Sequence, residues 1–283
     1  MNDTGMIQPG ATLGQLQKDL PLGPLENRIL LCHALQLPRV ALITQAERAL
    51  TSEEAGTLAG LVQRRLDGEP IAYIVGEREF FGLPFRVSPA VLIPRPDTEL
   101  IVELALARMA PRARLLDMGT GSGAIAVALA HTRPDATVTA LDVSDAALDI
   151  AQANAAANGA RVRFLRSDWY AALGEERFDL IASNPPYIAS GDRHLSEGDL
   201  RFEPTGALTD HADGLSALRI IVDGACAHLE PGGWLLLEHG YDQAEAVRAL
   251  LAARGFTEVQ SWRDLAGIER VSGGRCGIQD LTG

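Results

Sequence analysis

The sequence predicts an α/β protein: a doubly wound, mostly parallel sheet preceded by a small N-terminal helical bundle and a β-hairpin linker. Three observations carry this expectation. Apolar residues recur at the helical period through about residue 70. Two short aromatic-rich stretches then flank a turn marked by Gly82 and Pro84. From residue 113 onward short apolar stretches alternate with helical ones, the order that builds parallel strands with crossover helices on both faces.

Taken in order, residues 1–70 form the bundle. Leu13, Leu16 and Leu20, then Leu25, Ile29, Leu30 and Leu37, mark its buried faces. Thr51-Ser52-Glu53-Glu54 reads as a helix start, with Thr51 or Ser52 as cap and acids in the first turn. Leu58, Leu61, Val62 and Leu66 follow as an apolar stripe. No catalytic side-chain pattern stands out here, so the segment reads as a packing or docking module. Residues 71–95 form the linker, with the hairpin at Phe80-Phe81-Gly82-Leu83-Pro84-Phe85-Arg86-Val87. In Ile93-Pro94-Arg95-Pro96-Asp97-Thr98-Glu99 two prolines flank an arginine and exclude helix, while Asp97 or Thr98 is placed to cap a helix from Glu99 to about Met109. Residues 96–283 form the third segment. Strands are expected at 114–117, 138–142, 162–165, 178–182 and 234–237, and helices at 124–131, 145–157, 215–228 and 244–253. No internal repeat interrupts this order.

Composition bounds the function. The chain has 283 residues, 47% of them hydrophobic and 22% charged, the balance of a soluble globular protein with ample core. No apolar run reaches the ~20 residues of a membrane span, and the opening MNDTGMIQPG lacks the basic and apolar regions of a secretory signal. Cys32, Cys226 and Cys276 lie far apart without metal-ligand spacing, and His131, His194, His211 and His228 show no paired ligand spacing. A cytoplasmic protein without a bound metal is expected. The net charge of −12 weighs against a nucleic-acid substrate, because phosphate neutralisation supplies most of that affinity.

Two motifs carry chemistry. Asp117-Met118-Gly119-Thr120-Gly121-Ser122-Gly123 follows a strand and opens a helix, where glycines let the backbone approach a ligand and free helix N–H groups complete a polar pocket. Asp142 ends the next strand, the position from which a carboxylate accepts ribose hydroxyls. The loop also satisfies the dinucleotide fingerprint through Gly119, Gly121 and Ala124, so by itself it marks an adenosine-type cofactor and does not choose among them. Asp168 and Trp169 follow the third strand and could bond and cover a purine; Trp169 reads equally as a core aromatic.

Asn184-Pro185-Pro186-Tyr187 directly follows the fourth strand and projects into the same crevice. Its prolines fix two φ angles and remove two donors, leaving the Asn184 side chain and the Pro185 carbonyl as rigidly presented acceptors. Tyr187 is expected to lie flat against a planar group. Such acceptors suit an amide or exocyclic amine, whose nitrogen lone pair is delocalised: holding both N–H bonds aims the lone pair at an electrophilic methyl.

Loop and tetrapeptide together resemble class I methyltransferases that act on planar nitrogen, a group that includes adenine-N6 and guanine-N2 nucleic-acid enzymes. Phe80-Phe81-Gly82-Leu83, Ile93-Pro94-Arg95-Pro96-Asp97-Thr98-Glu99, Ser167-Asp168-Trp169, Arg201-Phe202-Glu203-Pro204, Leu237-Glu238-His239-Gly240 and Glu269-Arg270-Val271 narrow the likeness. Across residues 70–276 they are closely similar to peptide chain release factor N5-glutamine methyltransferases. The resemblance implies a seven-stranded sheet and S-adenosylmethionine bound by Gly119, Thr120, Gly121, Ser122, Gly123, Asp142, Asp168 and Trp169, with S-adenosylhomocysteine as product. It implies that Asn184 touches both cofactor and substrate. The substrate would be the glutamine of a Gly-Gly-Gln motif in class I release factors, clasped by Asn184, Pro185, Pro186 and Tyr187, with Asn184, Pro185 and Tyr187 catalytic. The helical N-terminal domain would dock that partner. A monomer is expected, with neither nucleic acid nor membrane as partner.

Three rivals remain. An adenine-N6 or ribosomal-RNA methyltransferase would share the tetrapeptide chemistry but meets the acidic charge. A nicotinamide-dependent dehydrogenase explains the loop and leaves residues 184–187 idle. A binding module explains neither. Among other residues, Glu238 and His239 read as a strand-end hydrogen-bonding pair rather than proton carriers. Arg95 and Glu99 could line the crevice or fix the linker. The Gly/Asp/Ser-rich stretch 188–213 is long for a loop and reads as a substrate lid.

Overall fold

The structure is a computed structural model that describes residues 7–277. Residues 278–283 of the third expected segment, 96–283, lie outside the described residues. The chain divides into two compact units between Gly76 and Glu77.

The first unit is helical, with α1 (Leu13–Asp19), α2 (Pro24–Leu35), α3 (Ala41–Thr44), α4 (Ser52–Leu66) and α5 (Ile71–Val75). Thr12 and Thr51 start α1 and α4 with reciprocal capping boxes to Gln15 and Glu54, which satisfy backbone donors that a helix start leaves free. Leu13, Leu16, Leu30, Leu31, Leu58 and Val62 are buried as one core. Leu25, expected on a buried face, is 57% exposed, because it sits in the first turn of α2 on the side opposite Leu30 and Leu31. The expected boundary at residue 70 moves to Gly76: residues 71–75 are a helix whose Ile74 joins this core, and Gly76 ends it in the left-handed region at φ 76°.

The second unit opens with the hairpin β1 (Glu77–Phe80) and β2 (Leu83–Arg86), whose turn residues Phe81 and Gly82 both have positive φ. Expected as a linker, it is part of the core instead. Phe80 and Phe85 are fully buried among residues of α6 (Glu99–Leu106) and α7 (Ala124–Thr132).

The strands of the large sheet are β3 (Arg114–Met118), β4 (Thr137–Asp142), β5 (Val162–Arg166), β6 (Phe178–Ser183), β7 (Leu229–Glu238), β8 (Thr257–Arg263) and β9 (Glu269–Arg275). Their order is β5-β4-β3-β6-β7-β9-β8. The first five in that order are parallel, and β9 and β8 pair antiparallel at the far edge. The period-two alternation of strands appears directly: Leu115 and Leu236 face one apolar cluster, Leu116, Leu235 and Leu237 the other. The first cluster receives α6 and α7; α8 (Asp145–Ala157) adds Ala155 to it. The second receives α10 (Ser216–His228) and α11 (Ala244–Ala253). Strand order reverses between β3 and β6, so the crevice at their carboxyl ends is the switch point where such sheets bind ligands.

Candidate active site

The loops that leave β3, β4, β5 and β6 converge at that switch point around a cavity of about 320 Å³, a size typical of small-molecule sites. Gly119, Thr120, Gly121, Ser122, Asp142, Asp168, Trp169, Asn184 and Pro186 line it, as expected from the sequence. Pro94, Arg95, Thr98, Pro204, Gly206 and Ala207 complete the wall.

The glycine loop is rigid from within. Gly119 and Thr120 both donate backbone N–H bonds of 2.9 Å to the Leu141 carbonyl, crossing from β3 to β4. Asp117 sits fully buried beneath, its Oδ2 accepting from Thr120 Oγ1 at 2.6 Å and from the Ala126 N–H at 3.2 Å. Burial pushes its carboxyl up to about 7 despite these bonds. At Gly119 and Gly121 φ is positive and an added Cβ would meet nothing within 4 Å, so the loop presents bare backbone to open space. Gly123 differs. A Cβ there would come within 3.1 Å of the Ala151 side chain on α8, and Gly123 is absent from the cavity wall. Its lack of a side chain lets α7 pack on α8.

Asp142 holds the loop's other flank. Its Oδ2 accepts from the Gly121 N–H at 2.9 Å and its Oδ1 from the Ser144 N–H at 2.9 Å. Each oxygen keeps a further lone pair for a hydroxyl. Trp169 is held at φ 47°, a left-handed conformation that aromatic residues rarely adopt, with its carbonyl accepting from Ser167 Oγ at 2.7 Å. Trp169 both lines the cavity and packs against the second apolar cluster. An open glycine loop, a carboxylate with free lone pairs and an aromatic residue thus share one cavity.

Sequence reasoning missed Asn154. This buried residue of α8 donates from Nδ2 to the Ser122 carbonyl at 2.8 Å and to the Arg86 carbonyl at 3.0 Å, and accepts from the Arg86 N–H at 2.7 Å. It joins hairpin to glycine loop across 68 and 32 residues of sequence. A buried asparagine in an alanine-rich helix was the available signal.

The tetrapeptide follows β6, whose Ser183 hydroxyl donates to the Met118 carbonyl at 2.7 Å. Asn184 donates from Nδ2 to Thr98 Oγ1 at 3.2 Å. Pro185 is buried and Pro186 lines the cavity. Tyr187 departs from expectation. It is not part of the cavity wall; its ring packs on the second apolar cluster, and its hydroxyl donates to Glu238 Oε1 at 3.3 Å. Burial and the neighbouring Glu238 carboxylate push the phenol well above its ordinary range.

Thr98 does not cap α6 with its side chain, its hydroxyl being engaged at Asn184, nor does Asp97, whose carboxylate lies 3.5 Å from Arg270 Nε. Arg95 lines the cavity and pairs with the fully buried Glu203, which also accepts the Ile93 N–H at 3.0 Å. Glu99 is absent from the wall and accepts the Phe81 N–H at 3.0 Å, fixing the hairpin. The stretch expected as a lid is partly built: it holds 3-10 turns at Arg193–Ser196 and Gly198–Phe202 and the short helix α9 (Thr205–Leu208). Glu203 pins its second half against residues 93–95. His239 is fully buried between the Gly240 carbonyl and Ser272 Oγ, both at 2.8 Å, and burial lowers its proton affinity.

A doubly wound sheet whose glycine loop and Asn184–Tyr187 turn meet at one switch-point crevice is the arrangement of the S-adenosylmethionine-dependent methyltransferase class. Residues 96–199 match the methyltransferase small domain and residues 14–76 the PrmC N-terminal domain. The chain is 57% identical over 274 residues to the release factor glutamine methyltransferase of Burkholderia pseudomallei, covering 94% of this chain and 96% of that one. It is 55% identical over 266 residues to the enzyme of the same name from Bordetella pertussis, covering 92% and 98%. The chain belongs to the release factor glutamine methyltransferase family. A Pyrococcus furiosus methyltransferase superposes with a TM-score of 0.54 at 24% identity, over 76% of this chain and 98% of that one, and shares the fold. A Thermus thermophilus 16S rRNA N2 G1207 methyltransferase, solved with S-adenosylmethionine and guanosine, superposes with a TM-score of 0.52 at 25% identity, over 70% and 49%.

Proposed function

We propose that this protein methylates the side-chain amide nitrogen of the glutamine in the Gly-Gly-Gln motif of class I release factors. The orientation of the Asn184 amide carries the reading: Nδ2 gives one of its two N–H bonds to Thr98 Oγ1, which leaves Oδ1 on the other limb as the acceptor for a ligand's N–H in the cleft.

When bound, S-adenosylmethionine supplies the electrophilic methyl group. Gly119, Gly121 and Ser122 would cradle it, Asp142 would accept hydrogen bonds from its ribose hydroxyls, and Trp169 with Asp168 would enclose its purine. Asn184 Oδ1 and the Pro185 carbonyl accept the two N–H bonds of the substrate amide. An amide nitrogen is a poor nucleophile because its lone pair is shared with the carbonyl. Holding both hydrogens favours pyramidal character and aims the lone pair, and orientation of this kind reaches ~7–11 kcal/mol in favourable intramolecular cases. The acceptors also stabilise positive charge developing on nitrogen, the cationic counterpart of an oxyanion hole. The methylated nitrogen is then acidic and loses its proton without a dedicated base. Tyr187 acts from behind the wall, bracing the turn through Glu238. The helical first unit docks the release factor.

Methyl-labelled S-adenosylmethionine offered with a release factor, with its Gln→Ala variant and with ribosomal RNA tests this. Label should enter only the intact factor. Equal labelling of both proteins, or label found only in RNA, would overturn the assignment. Asn184→Ala should lower turnover by roughly a hundredfold or more while cofactor affinity falls far less.

A further inference from the structure

One stretch of the cavity wall is tied down at both ends by contacts that the chemistry above leaves unused. Pro204, Gly206 and Ala207, in or beside α9, line the cavity. At the start of this stretch Glu203 turns inward, its side chain wholly covered. Its Oε2 accepts from the Ile93 N–H at 3.0 Å and its Oε1 from Arg95 Nη2. At the other end the Ile188 N–H donates to the Leu208 carbonyl at 2.9 Å, and Ile188 and Thr209 form a parallel bridge.

Both anchors belong to the chain that holds Asn184 in place. Ile188 directly follows the tetrapeptide. Arg95 shortly precedes Thr98, whose Oγ1 accepts from Asn184 Nδ2 at 3.2 Å. The sheet order β5-β4-β3-β6 sets Asn184, after β6, at the opposite end of the crevice from Asp142 and Trp169, after β4 and β5. Residues 203–209 are therefore a strap across the Asn184 end. The side chains of Pro204, Gly206 and Ala207 are apolar or absent, so what they offer a ligand is shape. A glutamine side chain arrives with several rotating bonds, and Asn184 with Pro185 restrains only its terminal amide. Something must confine the rest of it, because a misplacement of about 1 Å costs about a hundredfold in rate.

We propose that Glu203 is a positioning residue: by clasping Arg95 and the Ile93 N–H it seats the strap that confines the substrate side chain beside Asn184. The proposal rests on Asn184 marking the acceptor end of the cavity. Each oxygen of Glu203 meets a donor, and a carboxylate accepts from both at once. An amide of the same shape accepts from one and confronts the other with its NH₂ limb.

Glu203→Gln, Arg95→Ala, the double variant and Arg95→Lys, each in the full chain, test this. Measured on each are kcat and KM for a release factor, well below the thermal midpoint, and calorimetric affinity for S-adenosylmethionine. Glu203→Gln and Arg95→Ala should each lower kcat/KM about tenfold or more and raise KM, with cofactor affinity within about threefold of the parent. A chain that is merely less folded loses kcat at unchanged KM. The double variant should lose no more than Arg95→Ala, because one contact can be removed only once. Arg95 meets Glu203 through a single nitrogen, so Arg95→Lys supplies that donor and should recover most of the loss. Three results overturn the proposal: a kcat/KM within about twofold of the parent in Glu203→Gln, losses that multiply in the double variant, or a fall in cofactor affinity equal to the fall in kcat/KM. If Glu203→Gln does not fold, Ala207→Val decides: added bulk on the strap should raise KM for the release factor about tenfold, and an unchanged KM overturns the strap. Asn184→Ala separates the two levels. An active Asn184→Ala removes the acceptor end itself, whereas an inactive one beside a normal Glu203→Gln leaves the acceptor standing and removes the strap.

Discussion

At the scale of single residues, Glu203 shows how a charge can be buried beside an active site. Its side chain is fully covered, and burial raises its carboxyl above the ordinary range against the pull of Arg95 and the Ile93 N–H. Arg95, one-third exposed, is the charged partner that works against this rise. Arg95→Ala leaves that carboxylate unopposed, and breaking a buried pair from one side costs about 3 kcal/mol. Protonation relieves an unpaired carboxylate. With its folded-state affinity for a proton raised further, Glu203 in the variant gives stability present at low pH and lost as pH rises. Urea unfolding should therefore show a larger deficit for Arg95→Ala at pH 8 than at pH 5, and Glu203→Gln in the same chain should recover part of it. A deficit equal at both pH values would mean that lost packing, not charge, is the cause.

At the scale of elements, the turn 184–187 is held by the loop that precedes α10. Gly214 lies at φ 79°, and a Cβ there would come within 2.5 Å of the Tyr187 carbonyl and 2.9 Å of Gln243 Nε2. Gln243 itself donates to the Tyr187 carbonyl at 2.9 Å and to the Gly214 carbonyl at 3.2 Å. Asp210 orders the same loop by accepting the N–H groups of Ala212, Gly214 and Ser216. Gly214→Ala combines a backbone clash with a disfavoured φ, so it should push Tyr187 and lower kcat about tenfold with little change in cofactor affinity. An unchanged kcat would show that the turn does not depend on this brace. The strands around it differ in how readily they are read from sequence. β3, β4 and β6 are short apolar runs ended by motif residues and are legible. β9, Glu269-Arg270-Val271-Ser272-Gly273-Gly274-Arg275, looks like a loop because it contains two glycines. Gly273 is required by the fold: its Cβ would fall 2.4 Å from the Leu235 carbonyl and 2.8 Å from Leu236. β8 is an edge strand with four of its seven residues exposed, so it carries no apolar alternation to detect.

At the scale of the whole molecule, the same distinction governs the site. The glycine loop and the tetrapeptide are contiguous in sequence, and each declares its chemistry locally. The network behind them joins Thr98 to Asn184 across 86 residues and Tyr187 to Glu238 across 51, contacts that only the sheet order creates. The same burial sets how global stability responds to pH. In the folded protein Asp117 and Glu238 are both pushed up to about 7, from ordinary values of 3.8 and 4.5, chiefly by burial. A folded-state value above the unfolded one means that the native state holds a proton the unfolded chain has released. The stability this contributes is complete below about pH 4 and is lost as pH rises toward 7, on the order of 1 kcal/mol per pH unit for each group. Glu203 acts in the same sense, while buried His239, its proton affinity lowered, opposes it as pH falls below the ordinary histidine range. Asp213, Asp210 and Asp264, all held below their ordinary range, act at lower pH still. A variant isolates one contribution from this sum. Asp117→Asn keeps an oxygen to accept from Thr120 and Ala126 but has no proton to lose. The stability difference between it and the parent, taken from urea unfolding at half-unit steps, should therefore shift in the variant's favour from pH 4 to 7 and level off above that. A difference that stays constant across the range would mean that Asp117 is ionised throughout in the folded protein.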